Sequence, residues 1–335
     1  MTGKWHREYC RAGAAIRGFG GAFWRVFLAA FFCALCAACG KTDPQPAGDR
    51  RTVTDPMGFT VTFPSPPERI ISSAPSNTEI IAMLGMGGKL IAIDKYSLGI
   101  ESIGVDLPAI DFVYPDAEAI VRLNPDLIIA SEHNRVSGGD PFKLLRDMGI
   151  ATVYLPTSGG IDEIYRDITF IADILEVPEK GAQMKEAMKA GIEKTAAVGK
   201  TITEKRTVYF EISPLPGLVS FGKNTFLDEM IGIIGAENIF ADQTGWIAPG
   251  GEAVIERNPD VILTNTAGGV LPESSGLRTE AVIAEIKARP GFGGIAAVRN
   301  GRVYHIDANS SARPGPNIVK ALKEMARAVY PEYYE

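Results

Sequence analysis

Residues 118–129 read Glu-Ala-Ile-Val-Arg-Leu-Asn-Pro-Asp-Leu-Ile-Ile, and residues 252–263 read Glu-Ala-Val-Ile-Glu-Arg-Asn-Pro-Asp-Val-Ile-Leu. Each copy begins as a short amphipathic helix. Each helix must end at Asn-Pro-Asp, because proline lacks the N–H that the helical ladder needs and restricts the residue before it. An apolar strand then starts at once. A second, weaker echo pairs Glu79-Ile-Ile-Ala-Met-Leu-Gly85 with Glu229-Met-Ile-Gly-Ile-Ile-Gly235. Two echoes in the same order imply two halves built alike.

Working outward, Leu90–Ile93, Leu127–Ala130, Val208–Phe210 and Val261–Leu263 are short, continuous apolar runs rather than alternating ones. Strands covered on both faces read this way. Helical stretches alternate with them, so each half is expected to be a parallel sheet with crossover helices. Between the halves, Ile161 to Leu175 has helical periodicity, and after Pro178 a second helical stretch runs to about Lys200 without an internal proline. About 20 residues at 1.5 Å each span roughly 30 Å, enough to bridge two lobes. The expectation is an α/β chain of two Rossmann-like lobes, residues 52–177 and 204–335, joined by a bridging helix over 178–203. Ahead of the first lobe, Thr52 to Phe63 alternates with period two around Pro56-Met-Gly58, a hairpin signal.

The chain has 335 residues, 46% apolar and 22% charged, with a net charge of −6. That composition fits a globular body and gives no basic patch for nucleic acid. The front differs. Lys4, Arg7, Arg11, Arg17 and Arg25 precede the uncharged run Val26–Ala38. This run is too short for a spanning helix, which needs about 20 residues, so residues 1–38 are expected to be an export signal. All four cysteines (Cys10, Cys33, Cys36, Cys39) fall within or just after it, leaving the body without a thiol for disulfide, zinc or nucleophile chemistry. Ala37-Ala38-Cys39-Gly40 resembles a bacterial lipoprotein processing site. Cys39 would then carry the lipid anchor, residues 39–51 would form a flexible tether, and the protein would sit outside the cytoplasm on a membrane.

The hairpin, Arg69-Ile-Ile-Ser-Ser-Ala-Pro-Ser-Asn-Thr-Glu79, Leu84-Gly85, the two Asn-Pro-Asp segments and Arg313-Pro-Gly-Pro316 together resemble the periplasmic binding proteins for iron siderophores, haem and cobalamin. The likeness spans about residues 52–332. It implies a monomer that holds its ligand between two lobes and docks on an ABC permease dimer with a cytoplasmic ATPase. It also implies one acidic docking residue per lobe, which by position are Glu118 and Glu252. Both would in addition favour the positive end of their own helix.

Ligands of open α/β sheets sit beyond the carboxyl ends of the strands. The loops there offer Tyr96, Phe112, Tyr114 and His133 from the first half, and Phe221, Trp246 and Arg313 from the second. Aromatic faces suit a broad chelate such as a ferric siderophore, cobalamin or haem, and arginine pairs with its carboxylates. Phe112 stands six residues before Glu118, where the family often carries a ligand-touching aromatic. In the family the arginine of Arg-Pro-Gly-Pro can also order the lobe interface. His133 and His305 are the only histidines beyond the leader, too few for a bare metal site; no intrinsic cofactor is expected, and an axial contact of His133 or Tyr114 to a haem iron stays open. The rival readings are an enzyme and an adhesive surface lipoprotein. The sequence has no Gly-x-Ser-x-Gly elbow and no zinc-hydrolase histidine pair.

Overall fold

A computed structural model describes residues 49–104, 106–135, 139–266 and 276–334. The export signal, Cys39 and most of the tether lie outside the described residues. The chain opens with strands β1 (Arg50–Thr54) and β2 (Thr60–Pro64), paired antiparallel. Asp55 forms the turn between them by accepting from the amides of Met57 at 3.0 Å and Phe59 at 2.8 Å. Its other oxygen accepts from the Tyr154 amide at 2.7 Å, which ties the hairpin to the first sheet.

That sheet runs β5-β4-β3-β6-β7, all parallel: β3 (Ile70–Ser72), β4 (Leu90–Asp94), β5 (Ala109–Ile110), β6 (Leu127–Ser131) and β7 (Thr152–Leu155). The second sheet runs β10-β8-β12-β13 and is also parallel: β8 (Thr207–Glu211), β10 (Glu237–Asn238), β12 (Val261–Thr264) and β13 (Val303–His305). A small antiparallel pair, β9 (Ser220–Phe221) with β11 (Trp246–Ile247), sits apart from it. The sequence reading did not include this pair. Both β6 and β12 are buried along their whole length, as their unbroken apolar runs require.

Seven helices position the site: α1 (Pro75–Met83), α2 (Ala117–Arg122), α3 (Ile161–Ile174), α4 (Pro178–Gly199), α5 (Phe226–Ile233), α6 (Gly251–Arg257) and α7 (Ile318–Val329). The echoed segments are α2 leading into β6 and α6 leading into β12. In both, asparagine ends the helix in the left-handed region, Asn124 at φ 46° and Asn258 at φ 44°. In both, the aspartate then fastens the strand to its neighbour. Asp126 accepts from the amides of Glu68 and Arg69 at 2.9 Å, just before β3. Asp260 accepts from the amide of Thr207 at 2.9 Å and its hydroxyl at 2.8 Å, at the start of β8.

The long helix α4 has 22 residues, about 33 Å of rise, and packs on α3 from the first half and on α5 and α7 from the second. Its glycines show how closely it is seated. A Cβ on Gly181 would lie 2.5 Å from Ala172 Cβ in α3, and one on Gly191 2.5 Å from Val319 Cγ1 in α7. A mid-helix glycine costs about 1 kcal/mol relative to alanine, here offset by backbone approach to both halves. The buried side chains join the two halves. One continuous cluster runs from Ile80, Ile129 and Val153 through Ile168, Ala172 and Met188 to Leu227, Leu263 and Met325. Each half also has a private cluster on its other face, around Ile128, Phe142 and Tyr154 and around Ile262, Ile286 and Phe292. The bridging helix therefore lies within a shared seam.

Candidate functional site: the cleft between the sheets

The loops beyond the carboxyl ends of the two sheets meet. Arg313, after β13, donates through Nη2 to the carbonyl of Tyr96, after β4, at 3.1 Å, and to Asn309 Oδ1 at 3.0 Å. Arg313 thus links a loop of the second half to a loop of the first.

Buried side chains hold the first-half loops in shape. Asp94 Oδ1 accepts from the Tyr96 amide at 2.8 Å, and its Oδ2 accepts from the Ser97 hydroxyl. Ser97 Oγ also lies 3.0 Å from Thr78 Oγ1, which lies 2.8 Å from Ser72 Oγ, so the three hydroxyls form one chain ending on the carboxylate. Burial pushes the Asp94 carboxyl above its usual range, while Ser97, the Tyr96 amide and the Arg313 charge pull it back. Asn134 fixes the next loop, accepting from Ser73 Oγ at 2.6 Å and from the Ser131 amide at 3.0 Å. Asp111 shapes the third, accepting from the amides of Val113 at 3.0 Å and Tyr114 at 3.4 Å. It also pairs with Lys95 at 2.9 Å, which lowers the Asp111 pKa and raises that of Lys95. These Asp-x-x turns carry a sequence signal of their own in Asp94-Lys-Tyr-Ser97 and Asp111-Phe-Val-Tyr114.

On this frame Tyr96 is 70% exposed, Tyr114 83% and Trp246 49%. The inner edge of Trp246 packs on Phe221 and Phe226, with ring centroids 6.2 and 6.5 Å away. His133 is exposed, its backbone amide bonded to Ser131 Oγ. Two of the expected contact residues are buried. Phe112 is buried against Phe142 with centroids 5.6 Å apart, and Phe221 is fully buried between Phe210 and Trp246. They back the wall and present no surface to a ligand in this conformation, because a ring beside a strand end gains more from packing than from water.

Glu118 and Glu252 stand in the first turns of α2 and α6. Both are exposed, Glu118 with 91% of its side chain free and Arg122 3.8 Å away. His305 donates to the Thr266 carbonyl at 3.2 Å, a structural use. Among the described residues no group of three or more His, Cys, Asp or Glu is arranged to hold a bare metal ion, and no helix is long and apolar enough to cross a membrane.

The family model described as periplasmic binding protein matches residues 70–310. An uncharacterized ABC transporter substrate-binding lipoprotein of Bacillus subtilis is 30% identical over 93% of this chain and 98% of its own length. A vitamin B12-binding protein of Vibrio parahaemolyticus is 29% identical over 78% of this chain and 88% of its own. Among solved structures, the apo form of a periplasmic haem-binding protein from Roseiflexus sp. RS-1 superposes with a TM-score of 0.67 at 28% identity, covering 79% of this chain and 98% of that one.

Proposed function

This chain belongs to the periplasmic binding protein family, and from that membership we propose that it captures a metal chelate, such as a ferric siderophore, cobalamin or haem, and delivers it to an ABC permease. The observation that carries the reading is the exposure of Tyr96 and Tyr114 on loops of the first half and of Trp246 in the second. Exposed rings on rigid loops cost free energy in water and recover it by covering a flat, apolar ligand face. Arg135 and Lys95 beside them suit anionic ligand edges. The protein acts as a carrier and not as an enzyme. The relatives named for vitamin B12 and haem support a cargo of this size and chemistry.

Delivery rests on Glu118 and Glu252, one exposed carboxylate per half at equivalent positions of the repeat, which suit two arginine pockets on a permease dimer. The protein works as a monomer, processed after residue 38 and held to the membrane through acylated Cys39. Domain bounds at 52–177, 178–203 and 204–335 follow the two sheets and the helix between them.

The test is a titration of the purified protein with cyanocobalamin, haemin, a ferric catecholate and a ferric hydroxamate, read by quenching of Trp246, the only tryptophan beyond the leader. One of the four should bind with a Kd below about 10 µM, a ΔG near −7 kcal/mol. Failure of all four would overturn the cargo assignment.

A further inference from the structure

The weaker echo pairs Glu79 with Glu229, and the structure gives both residues the same unusual task. Glu79 lies in α1 of the first half and is 2% exposed. Its Oε1 accepts from the backbone amide of Asn317 at 3.0 Å, immediately before α7 of the second half. Glu229 lies in α5 of the second half, and its Oε2 accepts from the amide of Ile161 at 2.9 Å, the first residue of α3 in the first half. Each carboxylate therefore reaches across to the start of a helix in the opposite half.

Neither receiving helix caps itself. The N-cap of α3 is Gly160, and Asn317 before α7 makes no side-chain cap bond. The first amides of a helix have no partner within it and carry partial positive charge, so a carboxylate is the natural complement. Both approaches are close, so that a side chain at either glycine would displace the carboxylate. A Cβ on Gly160 would fall 2.7 Å from Glu229 Oε1, and one on Gly315 2.6 Å from Glu79 Oε1.

The structure assigns to Glu79 and Glu229 the role of paired pivots that cap helices in trans and thereby set the aperture of the cleft. A hydrogen bond tolerates only a few tenths of an ångström of stretch before it weakens. Two such points held between rigid bodies leave one free rotation, about the line that joins them. Arg313, bonded to the Tyr96 carbonyl, is a third tie and restrains that rotation as well. The burial that raises the Glu79 carboxyl is opposed by the Asn317 amide and the Arg313 charge, so the bond and the ionised state support each other. As positioning residues, these glutamates act on cargo only through the separation of the cleft walls, whatever the cargo is.

The experiment measures that separation without ligand, so its outcome is independent of the cargo assignment. Ketone-bearing amino acids at positions 122 and 256, both exposed, are spin-labelled in the full chain, and the distance distribution is read by double electron–electron resonance. The doubly substituted Glu79→Ala, Glu229→Ala protein is expected to widen the distribution at least about twofold, and the Glu79→Gln, Glu229→Gln protein to fall between it and the unsubstituted chain, since glutamine keeps an acceptor but not the charge. Glu163→Gln is the control. Glu163 accepts from Gly159 within the first half, beside the same helix start, and its loss should leave the distribution unchanged. If the alanine pair fails to fold, the glutamine pair decides. Unsubstituted width in a folded double variant, or equal broadening by Glu163→Gln, would overturn the assignment.

Discussion

The two Asn-Pro-Asp copies perform one task with the same atoms, whereas two buried carboxylates, one in each half, are handled in opposite ways. In the second half Glu211, wholly buried at the end of β8, is held by Arg289 through bonds of 2.6 and 2.9 Å. In the first half Asp167, 7% exposed in α3, has only the Ser158 hydroxyl at 2.5 Å, and burial raises its pKa to about 6. The contrast separates what duplication of a fold preserves from what each half modifies. Backbone-directed contacts that make a helix stop and a strand start are common to both. Side chains that neutralise or that stand exposed are not: the first half exposes Tyr96 and Tyr114, the second a half-exposed Trp246.

The largest effect should come from the exposed rims, where each half presents one glutamate at the same position of the repeat. Glu118→Ala with Glu252→Ala should leave chelate affinity within about twofold while lowering uptake by at least about 100-fold, as two charged interface hot spots near 2 kcal/mol each imply. The single variants should be similarly impaired. Normal transport by the double variant would remove the docking role, and impairment by one single variant alone would break the equivalence.

The buried carboxylates should respond to neutralisation with opposite signs. Glu211→Gln leaves Arg289 buried with only the half-exposed Glu285 as a charged partner, and should destabilise by about 3 kcal/mol. Asp167→Asn should stabilise. Its folded pKa stands above the unfolded value near 3.9, so the native state holds the extra proton between about pH 4 and 6 and stability falls as pH rises through that window. The penalty is complete above pH 6 and absent below pH 4. Urea unfolding should therefore show a gain of about 2 kcal/mol for Asp167→Asn at pH 8 and almost none at pH 4. A gain that is equal at both pH values would mean that the carboxylate is not the cause.

Asp126→Ala and Asp260→Ala test the shared part of the comparison at smaller magnitude. Each aspartate accepts two bonds at the start of a neighbouring strand, so each loss should cost about 2 kcal/mol, and the two costs should agree within about 1 kcal/mol. A wide disparity in urea unfolding would show that the two copies resemble each other in geometry but not in energy.

What the sequence disclosed follows the same division. Asn-Pro-Asp was readable because helix termination and strand onset are decided by residues adjacent in the chain, and the hairpin because Asp55 and Gly58 act within five residues. Glu79 and Glu229 were visible as an echo, yet their task was not, since the bonds they make cross 238 and 68 residues. The burial of Phe112 and Phe221 is hidden from the sequence for a related reason. A phenylalanine after a strand serves a ligand surface or a core equally well, and only the position of Phe142 or Trp246 decides which.

The finest probe of the comparison is the pair of left-handed asparagines. For most residues this conformation costs about 1 kcal/mol, asparagine bears less of that cost, and glycine none. Asn124→Gly should therefore change stability by only a few tenths of a kcal/mol, the local strain relieved being offset by the freer unfolded chain. Asn258→Gly carries one further loss, because Asn258 Oδ1 accepts from the Ala296 amide at 2.8 Å. That bond, exposed to solvent, is worth about 0.5–1 kcal/mol. The second variant should thus be weaker than the first by about that amount, and equal stabilities in urea unfolding would show that the extra bond contributes nothing.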